Sequence, residues 1–180
     1  AQWSVSVGGA NWDIVDIALN EWQHVAVVYD QSTLSAKFYL NGIEYVYSGS
    51  TNFSTSFDAM YLGENPNYSE PFQGKMDEVR IWNDVRTITE IRDNMCQDVD
   101  GQSNLTAYYQ MSDGSGTSLS DNSTHSNTAS LHNMDNTDWV TSGAALGDVS
   151  VSDYSSPSSL NLASSHGDDM ILSSFSGSPT

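Results

Sequence analysis

Two carboxylates stand side by side at Asp77-Glu78, inside the run Gly74-Lys-Met-Asp-Glu-Val-Arg-Ile-Trp82. Glycoside hydrolysis uses two carboxyl groups about 5–10 Å apart, flanking the scissile bond. Neighbours on a strand point to opposite faces, so this pair does not converge on one sugar. Glu78 shares its face with Arg80 and is read as the partner of that guanidinium. Nucleophilic chemistry fares no better. Serine makes up 30 of 180 residues, so Ser/His/Asp combinations with His24, His125, His132 and His166 arise by chance. A Gly-x-Ser-x-Gly elbow is missing. His24 falls in a strand, as a hydrogen-bonded structural residue. His125 and His132 lie in a polar loop, without a cysteine or acidic partner at zinc-ligand spacing. Asp113-Gly-Ser-Gly116 lacks the alternating aspartates of an EF-hand. The chain is therefore expected not to be an enzyme. Recognition remains. Sugars are held by aromatic faces and planar polar side chains. Trp12, Tyr39, Tyr68 and Trp82 are the candidate ligand contacts if they are exposed rather than spent on a core, with Asn65 and Asn67 as a rim beside Tyr68.

The elements that must position these residues are mostly strands. Gln2–Val7 reads as one. Trp22–Tyr29 is apolar on both faces and reads as a central strand covered on both sides. The dipeptide Asn41-Gly42 suits a type I′ hairpin turn. A two-residue loop there pairs Leu40 with Ile43, Phe38 with Tyr45 and Ala36 with Tyr47, all on a core face. Lys37, Tyr39, Glu44 and Val46 take the other face. Further strands follow at 59–62, 74–82 and 105–111; in the second, Asp77, Val79 and Ile81 oppose Met76, Glu78, Arg80 and Trp82. One short helix begins at Thr87-Ile-Thr-Glu90, which has capping-box spacing, and its stripe Ile88, Ile91, Met95 is expected against a sheet edge. Residues 112–127 are a turn-rich excursion, and Trp139-Val140 restores core character.

Charge narrows the partners. The chain has 23 acidic and 5 basic residues, a formal charge of −18. All the cations, Lys37, Lys75, Arg80, Arg86 and Arg92, precede residue 93, and the last 88 residues carry 11 aspartates with no Lys, Arg or Glu. Such a chain repels phosphate backbones and anionic lipid, which excludes nucleic-acid partners. No apolar run approaches the roughly 20 residues of a membrane span. The Ser/Thr/Asn/Asp-rich, lysine-poor surface fits an extracellular or cell-surface setting. A single cysteine, Cys96, excludes an internal disulfide. It reads as a small, partly buried side chain, with a bridge to a cysteine outside this sequence as the alternative. Both ends read as cut from a longer chain.

Together, Trp22-x-His24-Val-Ala-x-x-Tyr29-Asp30, Phe38-Tyr-Leu-Asn-Gly42, Leu62-Gly63, Phe72-x-Gly74-x-x-Asp77-Glu-Val-Arg-Ile-Trp82 and Thr89-Glu-Ile91 resemble the laminin-G-like, concanavalin-A-like jelly-roll domain over residues 1–95. Leu105–Met111, Gly114-Ser-Gly116, Asp121 and Trp139–Gly143 resemble the closing segment found in large bacterial secreted and surface proteins of the type IX secretion kind. The resemblance implies an all-β, two-sheet antiparallel jelly-roll sandwich with one short helix, spanning 1–146 and lacking its N-terminal strands. Residues 147–180 would be a linker or the beginning of a further β-module. The Glu-x-Asp-x-x-Glu motif of the jelly-roll hydrolases is missing. By resemblance, Asp77 is the matching position for a structural Ca²⁺. The implied role is a non-catalytic recognition or adhesion module for glycan or protein. It would sit among other domains of a long exported chain that engages the secretion machinery. The alternatives are a structural spacer in an adhesin, or an ancillary carbohydrate-binding domain of a polysaccharide-degrading enzyme.

Overall fold

A computed structural model describes residues 2–7, 10–46, 60–64, 71–144, 158–162 and 169–172. The chain divides into two compact units. One comprises Ala1–Thr55, Val85–Asp98 and Ala145–Gly147; the other comprises Ser56–Asp84, Val99–Ala144 and Asp148–Thr180. Among the described residues, the strand pairings are all antiparallel. Among the described residues, no helix is long and apolar enough to cross a membrane.

In the first unit, β1 (Gln2–Val7) pairs with β2 (Ala10–Asp16). A three-stranded sheet follows, in the order β3 (Val25–Asp30), β4 (Ser35–Leu40), β5 (Ile43–Val46). Asn41 and Gly42 join β4 to β5 with φ of 50° and 74°, the positive values a type I′ turn requires. The register is the expected one, Leu40 opposite Ile43 and Phe38 opposite Tyr45; Tyr47 lies outside the described residues. Asn41 also anchors the neighbouring strand. Its N–H donates to the His24 carbonyl at 2.9 Å, and its Oδ1 accepts from the His24 N–H at 2.9 Å.

Two expectations for this sheet are corrected. Trp22–Tyr29 is not a central strand: β3 starts at Val25 and lies at one side of the sheet, with β4 in the middle and Val27 exposed. Ile43 is not core but exposed, because it sits on the outer strand immediately past the turn. Ala36, Phe38 and Leu40 are buried as expected, and the Phe38 ring lies between Trp3 and Tyr45.

Helix α1 (Ile88–Asn94) begins at the predicted capping box. The Glu90 N–H donates to Thr87 Oγ1 at 3.2 Å, and the Thr87 N–H donates to Glu90 Oε2 at 2.8 Å. The helix covers a sheet face, not an edge. Ile91 is buried with Val28 and Tyr39, flanked by Ala26 and Ile88. Arg92 Nε donates to the Gly42 carbonyl at 2.8 Å, tying the helix to the hairpin turn. Cys96 is a free, half-buried thiol.

The second unit contains β6 (Met60–Leu62), β7 (Gly74–Met76), β8 (Val79–Trp82), β9 (Leu105–Tyr109), β10 (Ser118–Leu119), β11 (Ala129–His132), β12 (Trp139–Thr141), β13 (Ser158–Leu162) and β14 (Asp169–Leu172). They form sheets in the orders β10-β11-β14-β6 and β12-β13-β7, with β8-β9 as a separate pair. The run 74–82, expected as one strand, is broken at Glu78, whose φ is +54°. The break resets the alternation. Met76, Val79 and Ile81 therefore reach one apolar cluster with Tyr109 and Leu131, where an unbroken strand would place Met76 opposite the other two. β13 pairs with β7 and β12, and β14 pairs with β6 and β11. Within the 112–127 excursion, Asp121 accepts from the N–H groups of Tyr108, Ser123 and Asn127 at 2.7–2.8 Å, which pins the loop to β9.

Gly42 leaves little room for a side chain. A Cβ there would lie 2.9 Å from Arg92 Cγ, on a residue with φ of +74°. Gly42→Ala should cost about 1–2 kcal/mol from the left-handed backbone alone. Urea denaturation of the variant measures it, and an unchanged midpoint would contradict the assignment of this turn.

Candidate functional site

The first unit carries a cleft of about 300 Å³, at the small end of ligand-pocket sizes. Its floor follows from strand alternation. Ser35, Lys37 and Tyr39 share one face of β4, and Glu44 of β5 pairs directly with Tyr39. β3 contributes Val28 and Asp30, while Val85, Arg86, Thr87 and Ile88 form the opposite wall at the start of α1.

Glu44 is the electrostatic centre. Its Oε2 accepts from the Tyr39 hydroxyl at 2.8 Å and from Lys37 Nζ at 3.2 Å. The Tyr39 hydroxyl, then Lys37, hold the Glu44 carboxyl below its ordinary value. Burial, reinforced by Glu44, pushes the Tyr39 hydroxyl up to about 12. Asp30 Oδ1 accepts from the Ser32 N–H at 2.8 Å and the Ser32 hydroxyl at 2.6 Å, and these bonds hold its carboxyl low as well. Arg86 Nη1 lies 3.4 Å from Glu90 Oε1, one turn into the helix. The cleft thus presents carboxylate acceptors, a paired ammonium group and a short apolar wall of Val28, Val85 and Ile88.

A hydrolase would need one carboxyl kept protonated near neutral pH. Neither Asp30 nor Glu44 is so held, since both are displaced toward the ionised form. Asp77, whose carboxyl burial displaces upward to about 6, does not line the cleft and belongs to the other unit.

Asp77 answers to a different demand. Burial raises its pKa, while its Oδ1 accepts from the Glu78 N–H at 3.0 Å and its Oδ2 from the Ser142 hydroxyl. Both oxygens are engaged, and among the described residues no three His, Cys, Asp or Glu side chains converge to hold a metal ion. Asp77 fastens the break between β7 and β8 to the segment after β12.

Glu78 and Arg80 pair as the sequence indicates, with Nη2 2.7 Å from Oε2 and each side chain only 9% exposed. The Tyr108 hydroxyl donates to the same Oε2 at 2.6 Å, and the guanidinium carbon lies 5.3 Å from the Tyr108 ring centroid. Burial, then Glu78, drives the Tyr108 hydroxyl far above its ordinary range. This is a structural constellation.

Of the four aromatic candidates, Tyr39 and Trp82 have described side chains. Tyr39 is 1% exposed, so it is not a stacking platform; only its hydroxyl serves the cleft, through Glu44. The reason is α1, which covers the face that a bare hairpin would leave open. Trp82 is half-buried against Val99, Leu105 and Tyr108. Trp12 lies in β2 opposite Val5, with its side chain outside the described residues. Tyr68, Asn65 and Asn67 also lie outside them. Sequence reasoning missed Asp30, Ser35, Glu44 and Arg86 as one group. The available signal was the polar, non-core face of the Asn41-Gly42 hairpin, together with the helix start that covers it.

Comparison with known proteins bears on the same region. The family described as the concanavalin A-like lectin/glucanases superfamily, of laminin-G type, matches residues 1–92. A solved structure of a proposed carbohydrate binding protein from Bacteroides ovatus ATCC 8483 is similar at 28% identity and a TM-score of 0.53, covering 67% of this chain and 37% of its own. This chain therefore spans little more than a third of that protein's length. No curated protein matches it.

Two measurements test these structural assignments. Glu78→Ala leaves Arg80 buried without its carboxylate and should cost about 3–5 kcal/mol of folding stability, read by chemical denaturation. For Asp77 the folded value lies above the unfolded 3.8, so protonation favours the fold. The cost of its charge is absent below pH 3.8 and complete above about pH 6. Asp77→Asn should therefore gain melting temperature over the parent chain at about pH 7 and lose that advantage near pH 4; an equal difference at both would refute the burial account.

Proposed function

Because the chain belongs to the concanavalin A-like lectin/glucanases superfamily, we propose that it is a non-catalytic carbohydrate-binding module whose ligand occupies the Glu44 cleft. The observation that carries this reading is positional: every residue lining the cleft lies between Val28 and Ile88, inside the matched span 1–92. The similarity to a proposed carbohydrate binding protein supports the ligand class. The chemistry supports it too, since carboxylates accept from sugar hydroxyls and an apolar wall receives the C–H faces of a pyranose. In this reading the chain is one module of a larger extracellular or surface protein that it anchors to glycan, with adhesion as the outcome where the glycan belongs to a cell.

A glycan array probed with the full chain tests the proposal, with at least one carbohydrate class expected to be retained. Val85 is 52% exposed on the cleft wall and outside the buried clusters. Val85→Arg should fill the opening and weaken binding at least about tenfold, a loss of about 1.4 kcal/mol, with an unchanged melting temperature. Retention of no carbohydrate, or full affinity in the variant, would overturn the assignment.

A further inference from the structure

We infer that the Glu44 cleft selects uncharged glycans and rejects uronate- and sulfate-bearing ones, with the Glu44 carboxylate as the acceptor for ligand hydroxyls; this rests on the carbohydrate-binding reading above. The first ground is the state of the cations. Binding an anionic sugar requires a guanidinium or ammonium group that is not already neutralised. The two cations lining the cleft are both spoken for: Lys37 by Glu44 at 3.2 Å, and Arg86 by Glu90 at 3.4 Å. Arg80 is buried on Glu78 in the other unit, and Arg92, whose charge also acts on Glu44, donates to the Gly42 carbonyl.

The second ground is the field at the cleft. Asp30 and Glu44 line it, and both carboxyls are held toward their ionised forms. With Lys37 offset by Glu44 and Arg86 by Glu90, a ligand carboxylate or sulfate would still meet the Asp30 charge, on a chain whose formal charge is −18. A neutral pyranose meets the opposite situation, because its hydroxyls are donors. Tyr39 and Lys37 both donate to Glu44 Oε2, so Oε1 is the atom offered to a ligand hydroxyl. Those two donors also fix the carboxylate in place, so little ordering is left to binding.

Affinity electrophoresis of the full chain separates the possibilities. The gels contain neutral β-glucan, galactomannan or arabinoxylan; uronate-bearing pectate or alginate; or sulfated chondroitin sulfate. Retardation is expected in at least one neutral gel and in no anionic gel. In the retarding gel, Glu44→Gln should weaken the apparent affinity at least tenfold, with the parental circular-dichroism melt retained. Retardation by an anionic polysaccharide overturns the selectivity while leaving the carbohydrate-binding reading intact. Full affinity in Glu44→Gln overturns the acceptor role alone. Retardation in no gel, with no carbohydrate retained on the array, overturns the carbohydrate-binding reading itself.

Discussion

One tyrosine ring in the middle of a three-stranded sheet organises the first unit. Tyr39 belongs by alternation to the polar side of its hairpin, together with Lys37 and Glu44. A ring of that size cannot be left half wet beside a helix with an apolar stripe, so Val28, Ile91 and Tyr39 close on one another. Burial of the ring forces its hydroxyl to find an acceptor. Glu44, directly across the strand pair, is that acceptor. The carboxylate is thereby fixed, Lys37 joins it, and the space left between these groups and the start of the helix becomes the cleft. The site is a by-product of how this face is sealed.

The seal depends on two small devices at opposite ends of the helix. Thr87 and Glu90 satisfy each other's backbone donors at its start, which lets a helix of only 7 residues hold its first turn. Further along, Arg92 grips the carbonyl of Gly42, so the hairpin turn and the helix share one hydrogen bond. Gly42 is required twice there, by its backbone angle and by the closeness of the Arg92 side chain.

The second unit meets a different constraint, the burial of charge. Glu78 interrupts the strand in a left-handed conformation and turns its carboxylate onto Arg80 and Tyr108. Three groups on one oxygen-centred contact keep a pair of ions tolerable at 9% exposure. The same interruption moves β7 and β8 to different pairing partners and lets Met76 share a core with Val79 and Ile81. The two adjacent carboxylates that invited a catalytic reading are therefore spent on architecture, Glu78 on an ion pair and Asp77 on Ser142 and a backbone amide.

Much of this was legible in the residues alone. The Asn41-Gly42 turn, its register, the Thr87 capping box, the Glu78–Arg80 pair and the antiparallel β class all follow from local chemistry: positive φ, side-chain periodicity, and donors with one suitable acceptor nearby in sequence. The charge balance likewise set the expectation against nucleic-acid and anionic-lipid partners without any coordinates. Only tertiary structure could decide the rest. Whether Tyr39 faces water depends on a helix about 50 residues downstream, and periodicity within a strand carries no information about what lies over it. Whether 74–82 runs straight depends on the left-handed turn at Glu78, an angle that glutamate seldom adopts and that no local signal announces. The cleft inherits both facts: its side chains were nameable one by one, but their convergence came from long-range packing.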